Sequence, residues 1–350
     1  MTPPILTAPR TEPLQKCPVC DRSDTKHFFS APDRLHGVPG EFSYDLCSAC
    51  GSVFQNPMVV SDDLGLCYPT EYSPYTLVRE VPDVDFDRLP QANMKQRLRR
   101  EVVEAVKGNS KSDLAGRLGT FLSRSKRIRE RAFYGLVIDE CLPKGRGPHF
   151  ALDLGCGSGW FMQKLQKVGW TVEGLEWNQE AAEKAQDITG CKVYAGDFRG
   201  IDLPKGKYDL IVLNHVIEHL TDPLVALRRL YELLKDGGKV VLFYPNPNSL
   251  GSTYFGNFWF AWDPPRHLIF PSASGLRLLS ERAGFRECKI DARAAYTEVQ
   301  WGLSKAYQNG LSADQNVPLG VPERVGTYLE KTLAASGVNK GWEIVAELNK

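Results

Sequence analysis

The run ALDLGCGSGW, residues 151–160, constrains the fold more than any other stretch of the 350-residue chain. Gly155, Gly157 and Gly159 alternate directly after the apolar residues from Phe150 to Leu154, and Asp153 stands two residues ahead of the first. A glycine inside a strand or helix costs roughly 0.5–1 kcal/mol of backbone freedom. Three so close together mark a turn where something must approach the main chain. A strand feeding such a turn, with WFMQKLQKVGW behind it as a helix, gathers N–H groups and a helix N-terminus at one point. That point attracts a negative group. The spacing is G-x-G-x-G, which differs from the G-x-G-x-x-G of dinucleotide-binding turns.

From about residue 148 onward, apolar runs alternate with amphipathic stretches, the pattern of repeated βα units and a mainly parallel sheet. Strands are predicted near 149–154, 171–175, 192–195, 208–213 and 239–244. One helix start is marked by Thr221 or Asp222 as N-cap with Pro223 in the first turn. Leu224, Leu227, Leu230 and Leu234 follow on one face, and DGG at 236–238 closes the helix. Ser272 marks a second start. The predicted strand ends carry polar residues in order: Asp153 and the glycines, then Glu176, then Asp197 with Phe198, then Asn214 and His215. Such a row forms one crevice at the carboxyl edge of a sheet. A carboxylate at the tip of the second strand can accept both hydroxyls of a ribose. Asp197 could take an adenine amino group, with Phe198 stacked on the ring.

The ordered set LDLGCGSG, GLEWN, GDF, YDLIVLNHVIEHLTDP, LLKDGGKVVLFYPNP and SERAGF resembles class I S-adenosylmethionine-dependent methyltransferases over about residues 148–290. The resemblance resumes at NKGWEIVAELNK, residues 339–350. It implies a Rossmann-like seven-stranded sheet, mostly parallel, with the last strand antiparallel. It also implies that Asp153, Gly155, Cys156, Gly157 and Gly159 line the methionine portion of the cofactor. Glu176 would hold the ribose with Trp177 beside it, Asp197 and Phe198 the adenine, and Asn214 and His215 would border the methionine side. The family usually carries Asp where Glu176 stands; the carboxylate is kept and its reach lengthened.

Methyl transfer from a sulfonium mainly requires a nucleophile held in line, and positioning of this kind can supply roughly 7–11 kcal/mol of the barrier. A hydroxyl nucleophile also needs a base, worth about 10²–10⁴-fold. Histidine suits that task near neutral pH. His215 and His219 lie in NHVIEHL and His267 in WDPPRHLIF, so His267 or His219 is the expected base, with Arg266 beside it. Glu218 could orient an imidazole. The aromatic segment 244–271 has almost no helix or strand period and reads as a lid over an acceptor pocket, with Trp259, Trp262, Arg266 and His267 facing the substrate. Its W…PPRHL run resembles methyltransferases that modify sugars and surface polysaccharides. A helical insertion is expected over 296–338.

CPVC at 17–20 and CSACG at 47–51 bring Cys17, Cys20, Cys47 and Cys50 into a pattern suited to one tetrahedral zinc ion. Four thiolates leave no position for a water, so the metal is structural. A redox dithiol pair and an iron–sulfur cluster are the rival readings. The module, at 14–75 after a flexible lead-in of 1–13, looks like the zinc ribbon of methyltransferases acting on sugars or natural products. Tyr72 and Tyr75 are weak candidates for acceptor contacts, a turn-rich linker being the plainer reading. A helical connector follows over 76–140, and the methyltransferase domain over 141–350.

Between Lys95 and Arg131 stand twelve Lys or Arg against four Asp or Glu, the one strong local imbalance in a chain of net charge +1. It reads as an ordinary solvated helical face, or as a surface for phosphate in nucleic acid, a nucleotide sugar or an acidic membrane. The near-neutral total, the missing NPPY-type run after the fourth strand and the lack of interleaved aromatics argue against nucleic acid. No apolar run approaches the roughly 20 residues of a membrane span. Nine cysteines, five of them scattered, fit a reducing cytoplasm. These features point to O-methylation of a sugar, glycan or related metabolite. The alternatives are a sugar C-methyltransferase, an RNA methyltransferase using the zinc module and basic helices, and a cofactor-binding scaffold without turnover.

Overall fold

A computed structural model describes residues 7–69, 72, 81, 84–86, 88–90, 93–315 and 317–350. The chain divides into two compact units: Met1–Tyr72 with Leu213–Tyr231 and Leu242–Lys350, and Ser73–Val212 with Glu232–Val241. This differs from the consecutive modules expected from the sequence, because the N-terminal residues cluster with the C-terminal half.

The N-terminal strands are β1 (Thr11–Glu12), β2 (Thr25–Pro32), β3 (Glu41–Cys47), β4 (Val53–Gln55) and β5 (Met58–Val59). β2 and β3 form an antiparallel hairpin, and β4 continues it. The turn from β3 to β4 holds the second cysteine pair, with Gly51 at φ +72°, a conformation that favours glycine. The basic stretch is helical as expected: α1 (Met94–Val106), α2 (Leu114–Leu122) and α3 (Lys126–Ala132).

β6 (Phe150–Leu154) enters the glycine turn and α4 (Trp160–Val168) leaves it; β7 (Thr171–Glu176), α5 (Gln179–Thr189), β8 (Val193–Ala195) and β9 (Tyr208–Asn214) follow. β6, β7 and β8 are parallel neighbours. Leu210, Ile211, Val212 and Leu213 of β9 are all fully buried, the continuous apolar run of a strand covered on both faces. α6 (Pro223–Leu233) starts at Asp222, whose Oδ1 accepts the Val225 N–H at 2.9 Å. β10 (Leu234–Pro245) begins directly after α6, so the helix stops three residues short of Gly237.

Then come α7 (Leu250–Phe255), β11 (Ile269–Phe270), α8 (Ala273–Ala283), β12 (Glu287–Arg293), α9 (Thr297–Gln308), α10 (Val321–Ala335) and β13 (Glu343–Asn349). The Ser272 hydroxyl caps α8 by accepting from Gly275 N. The seven-stranded sheet has the order β12-β13-β10-β9-β6-β7-β8, and β12 pairs with β13 in antiparallel register from Glu287↔Asn349 to Arg293↔Glu343. Strand order reverses between β6 and β9, the switch point at which open α/β sheets bind ligands. β11 extends the N-terminal sheet to the order β11-β4-β3-β2.

Candidate functional site

In the Ser73–Val212 unit, the turn after β6 is built around three left-handed glycines, Gly155 at φ +71°, Gly157 at +52° and Gly159 at +84°. The N–H groups of Gly155 and Cys156 donate to the Leu175 carbonyl at 2.7 and 3.2 Å, which ties the turn to the end of β7. Glu176 completes that tie. Its Oε2 accepts from Gly157 N at 2.9 Å and its Oε1 from Asn178 N at 3.1 Å. Asp153 is 1% exposed, and its Oδ2 has no hydrogen-bond partner. Burial, and then the charge of Glu176, push its carboxyl up to about 8. Cys156 lies buried between these acids, and burial raises its thiol. One glycine that the sequence reading passed over, Gly174, is needed here: a Cβ on it would stand 2.7 Å from Met162 Sδ and 2.9 Å from Cys156 Sγ.

The remaining cofactor candidates of this unit are less enclosed. Trp177 is about half exposed and Phe198 is buried. Asp197, expected to meet an adenine, is held by Arg199, which donates to it from its backbone N at 2.8 Å and from Nη2 at 2.6 Å. That partner was not recognised in the sequence, although an Asp-x-Arg pair is short enough to be found there.

In the other unit, His215, Glu218 and His219 lie on the turn after β9, and His267 of the 263–267 turn approaches Glu218 and His219. His215 (φ +57°) points Nδ1 at Glu218 Oε1, 3.1 Å away, and Nε2 at Glu343 Oε1, 3.0 Å away. Burial opposes its charge, but the two carboxylates outweigh it and lift the imidazole to about 10. His215 is therefore an imidazolium, donating from both nitrogens, and Trp342 stacks on it at 5.9 Å. Glu218 is fully buried, and its Oε2 has no partner. His219 Nδ1 lies 2.9 Å from the Arg266 carbonyl, which can only accept, so the proton sits on Nδ1. The Tyr68 hydroxyl oxygen is 2.8 Å from the same nitrogen. Burial, and then neighbouring His267, press His219 down to about 4. His267 donates from Nδ1 to the Ala261 carbonyl at 2.9 Å. Its Nε2 lies 3.9 Å from Glu218 Oε1 and 4.0 Å from Asp263 Oδ2. Glu218, His219 and His267 each present a ligand atom within 4.8 Å of the others. Asn214, at the end of β9, is half-buried.

Three expected substrate contacts are placed otherwise. Arg266 is fully buried. Its guanidinium binds Asp33 at 2.7 and 2.8 Å and Asp263 at 2.6 and 3.0 Å, and it also reaches the Cys67 carbonyl. Its donors are spent on pinning the N-terminal strands to the 263–267 turn, a partnership with Asp33 that no local pattern announces. Trp259 and Trp262 are each 1% exposed. Trp262 packs against Phe29, Phe270 and Trp259, all at 4.8 Å between ring centres. The segment 244–271 thus folds as α7, short 3₁₀ turns and β11, filling the interior of its own unit instead of lying open as a lid. The reason is its aromatic load, which gains more by burial than by facing water. Tyr72 sits edge-on to Tyr68 at 5.2 Å; Tyr75 lies outside the described residues.

The four N-terminal cysteines converge. Cys17 Sγ is 3.7 Å from Cys50 Sγ, and Cys20 Sγ is 3.5 Å from Cys47 Sγ. A tetrahedron of Zn–S bonds near 2.3 Å sets its sulfurs about 3.8 Å apart, whereas a disulfide needs about 2.05 Å. A hydrogen bond from the Cys17 thiol lowers the Cys50 thiol, which favours its thiolate.

Residues 126–288 match the model of a family described as a methyltransferase domain. An uncharacterized 37.1 kDa protein in a transposon of Streptomyces fradiae is 32% identical over 131 residues, 35% of this chain and 37% of that protein. The malonyl-[acyl-carrier protein] O-methyltransferase of Erwinia billingiae is 31% identical over 28% of this chain and 40% of its own length. The ubiquinone biosynthesis O-methyltransferase of Vibrio parahaemolyticus is 31% identical over 28% and 44%. The chain spans about two-fifths of the length of these relatives. Among solved structures, an S-adenosylmethionine-dependent methyltransferase from Archaeoglobus fulgidus covers 68% of this chain and 100% of its own at 20% identity, with a TM-score of 0.42. Residues 126–288, just under half of the chain, are thus similar to a methyltransferase domain. Among the described residues no helix is long and apolar enough to cross a membrane.

Proposed function

We propose that this chain methylates a hydroxyl of a sugar, glycan or related small metabolite, using S-adenosylmethionine. When bound, that cofactor supplies an electrophilic methyl on a sulfonium. The glycine turn fits it: Asp153 is a buried acid with an orphaned oxygen, and positively charged portions of the cofactor would satisfy it. Glu176, already fixed by two main-chain N–H groups, would take the ribose hydroxyls.

The observation that carries oxygen as the acceptor atom is the placement of His267, its Nδ1 2.9 Å from the Ala261 carbonyl and its Nε2 3.9 Å from buried Glu218, which would stabilise an imidazolium. His219 is the poorer base, because burial holds it near 4, and a base works best when its pKa lies near the working pH. His215 is already protonated and cannot accept. Two relatives named as O-methyltransferases support the same atom. The sugar or glycan class rests on the resemblance of the PPRHL run and the four-cysteine module to sugar-modifying methyltransferases. Cys17, Cys20, Cys47 and Cys50 would hold a zinc ion that is structural, since its four positions are filled by thiolates.

The test is incubation of labelled cofactor with nucleotide sugars and cell-envelope extracts, followed by mass identification of the methylated product. His267→Ala is expected to lower turnover by about 10²–10⁴-fold while cofactor affinity stays unchanged; Glu176→Ala should weaken cofactor binding first. Label arriving only on a nitrogen or carbon, or a His267→Ala enzyme with full turnover, overturns the reading.

A further inference from the structure

Helix α2 is amphipathic in the wrong sense for a helix that packs by its apolar face. Its buried positions are Gly116 and Gly119. A Cβ on Gly119 would stand 2.6 Å from the Glu101 backbone of α1, and one on Gly116 would run into the Lys111 backbone of the preceding loop, so the inner face is glycine because main chain approaches at both positions. Leu114, Leu118 and Phe121 fall at i, i+4 and i+7, on the opposite side. They are 84%, 47% and 63% exposed. A single exposed leucine is ordinary; three large apolar side chains on the outer face of one nine-residue helix are not.

The surroundings of that face are basic. Twelve Lys or Arg stand against four acids between Lys95 and Arg131. Lys111, Arg117 and Arg124 are exposed at or beside α2. The Arg124 guanidinium lies 5.8 Å from the Phe121 ring centre. Arg117 Nε donates to the Ser112 carbonyl, which keeps its charge beside the apolar row. The one acid of the helix start, Asp113, is engaged as N-cap by Gly116 N at 2.8 Å.

We infer that α2 and its basic flanks dock on an anionic phospholipid surface. A helix lying in the headgroup region buries an apolar row and sets cations against the lipid phosphates. Leu114, Leu118 and Phe121 supply the row, and Lys111, Arg117 and Arg124 the cations. Nucleic acid would use the charges but leave the apolar row in water, so lipid accounts for both features.

The experiment is sedimentation of the full chain with phosphatidylcholine vesicles and with vesicles containing one part phosphatidylglycerol to three of phosphatidylcholine, beside a fluorescent single-stranded RNA. Binding is expected on the anionic vesicles only, and it should weaken with salt. Arg117→Gln and Arg124→Gln should each lower the partition coefficient about fivefold. Leu118→Ser with Phe121→Ser should abolish binding while circular dichroism and cofactor affinity hold. Equal binding to both vesicle types, binding to neither, retention on RNA alone, or a dimer that dissociates in the serine variant would each overturn the proposal.

Discussion

At the residue scale the sharpest consequence belongs to Asp153. Its carboxyl is raised to about 8 by burial and by Glu176, so without cofactor it is mostly neutral at pH 7. A group raised on folding adds stability that is complete below its unfolded value near 3.9 and lost as pH climbs through about 8. A bound cation acts in the opposite direction: it favours the carboxylate and lowers the pKa. Binding at pH 7 should then release a proton, and affinity should rise by up to about tenfold per pH unit until roughly pH 8. Titration calorimetry in phosphate and in Tris reads the released proton as a buffer-dependent enthalpy. Asp153→Asn should remove the difference, and identical enthalpies for the native chain would refute it. The clustering of Asp153, the glycines and Glu176 was legible in the sequence because they lie at strand ends and the glycine spacing reports backbone geometry. Arg266 was not legible, because its partner Asp33 lies 233 residues away and only the fold brings them together.

Elements show the same divide. The strands at 150–154, 171–176 and 208–214 agree with expectation to within a residue or so, since buried parallel strands are plain apolar runs. The segment 244–271 misled, because helix and 3₁₀ turns filled by Trp and Phe carry no clean period. The α1–α2 contact has a feature that mutagenesis can reach. Gly119→Ala would push a methyl to 2.6 Å from the Glu101 backbone, where no flexible side chain can yield. Overpacking of this kind typically costs about 1–3 kcal/mol, against a gain of at most about 1 kcal/mol from better helix propensity. The variant should therefore melt several degrees lower, and Ala115→Gly, on the exposed side of the same helix, should lose only the propensity. An unchanged melting point for Gly119→Ala would mean that the two helices do not approach this closely.

At the scale of the whole molecule, the cysteine cluster is wired into the C-terminal half and does not hang as a separate bead. β11 adds to β4 as a fourth strand, Ser274 donates its hydroxyl to the Cys50 carbonyl at 2.8 Å, and Arg282 reaches the Val19 carbonyl and Asp21. The sequence could give the ligand pattern but not this wiring, which joins residues more than 200 positions apart. If those thiols hold the proposed zinc, its removal should be felt beyond the module. Zinc sites of this kind supply roughly 10–16 kcal/mol, as much as the whole stability of a typical domain. Stripping the ion with a mercurial and a chelator should therefore abolish the cooperative melting of the unit that holds residues 1–72 and 242–350. It should also open α8 to proteolysis as well as β2–β4. Cys47→Ser should do the same, and elemental analysis of the native chain should return one zinc per molecule. A stripped chain that melts at the native temperature, or cleavage confined to residues 14–60, would show that the thiols bind no structural metal or that the strands of β11 and β4 hold without it.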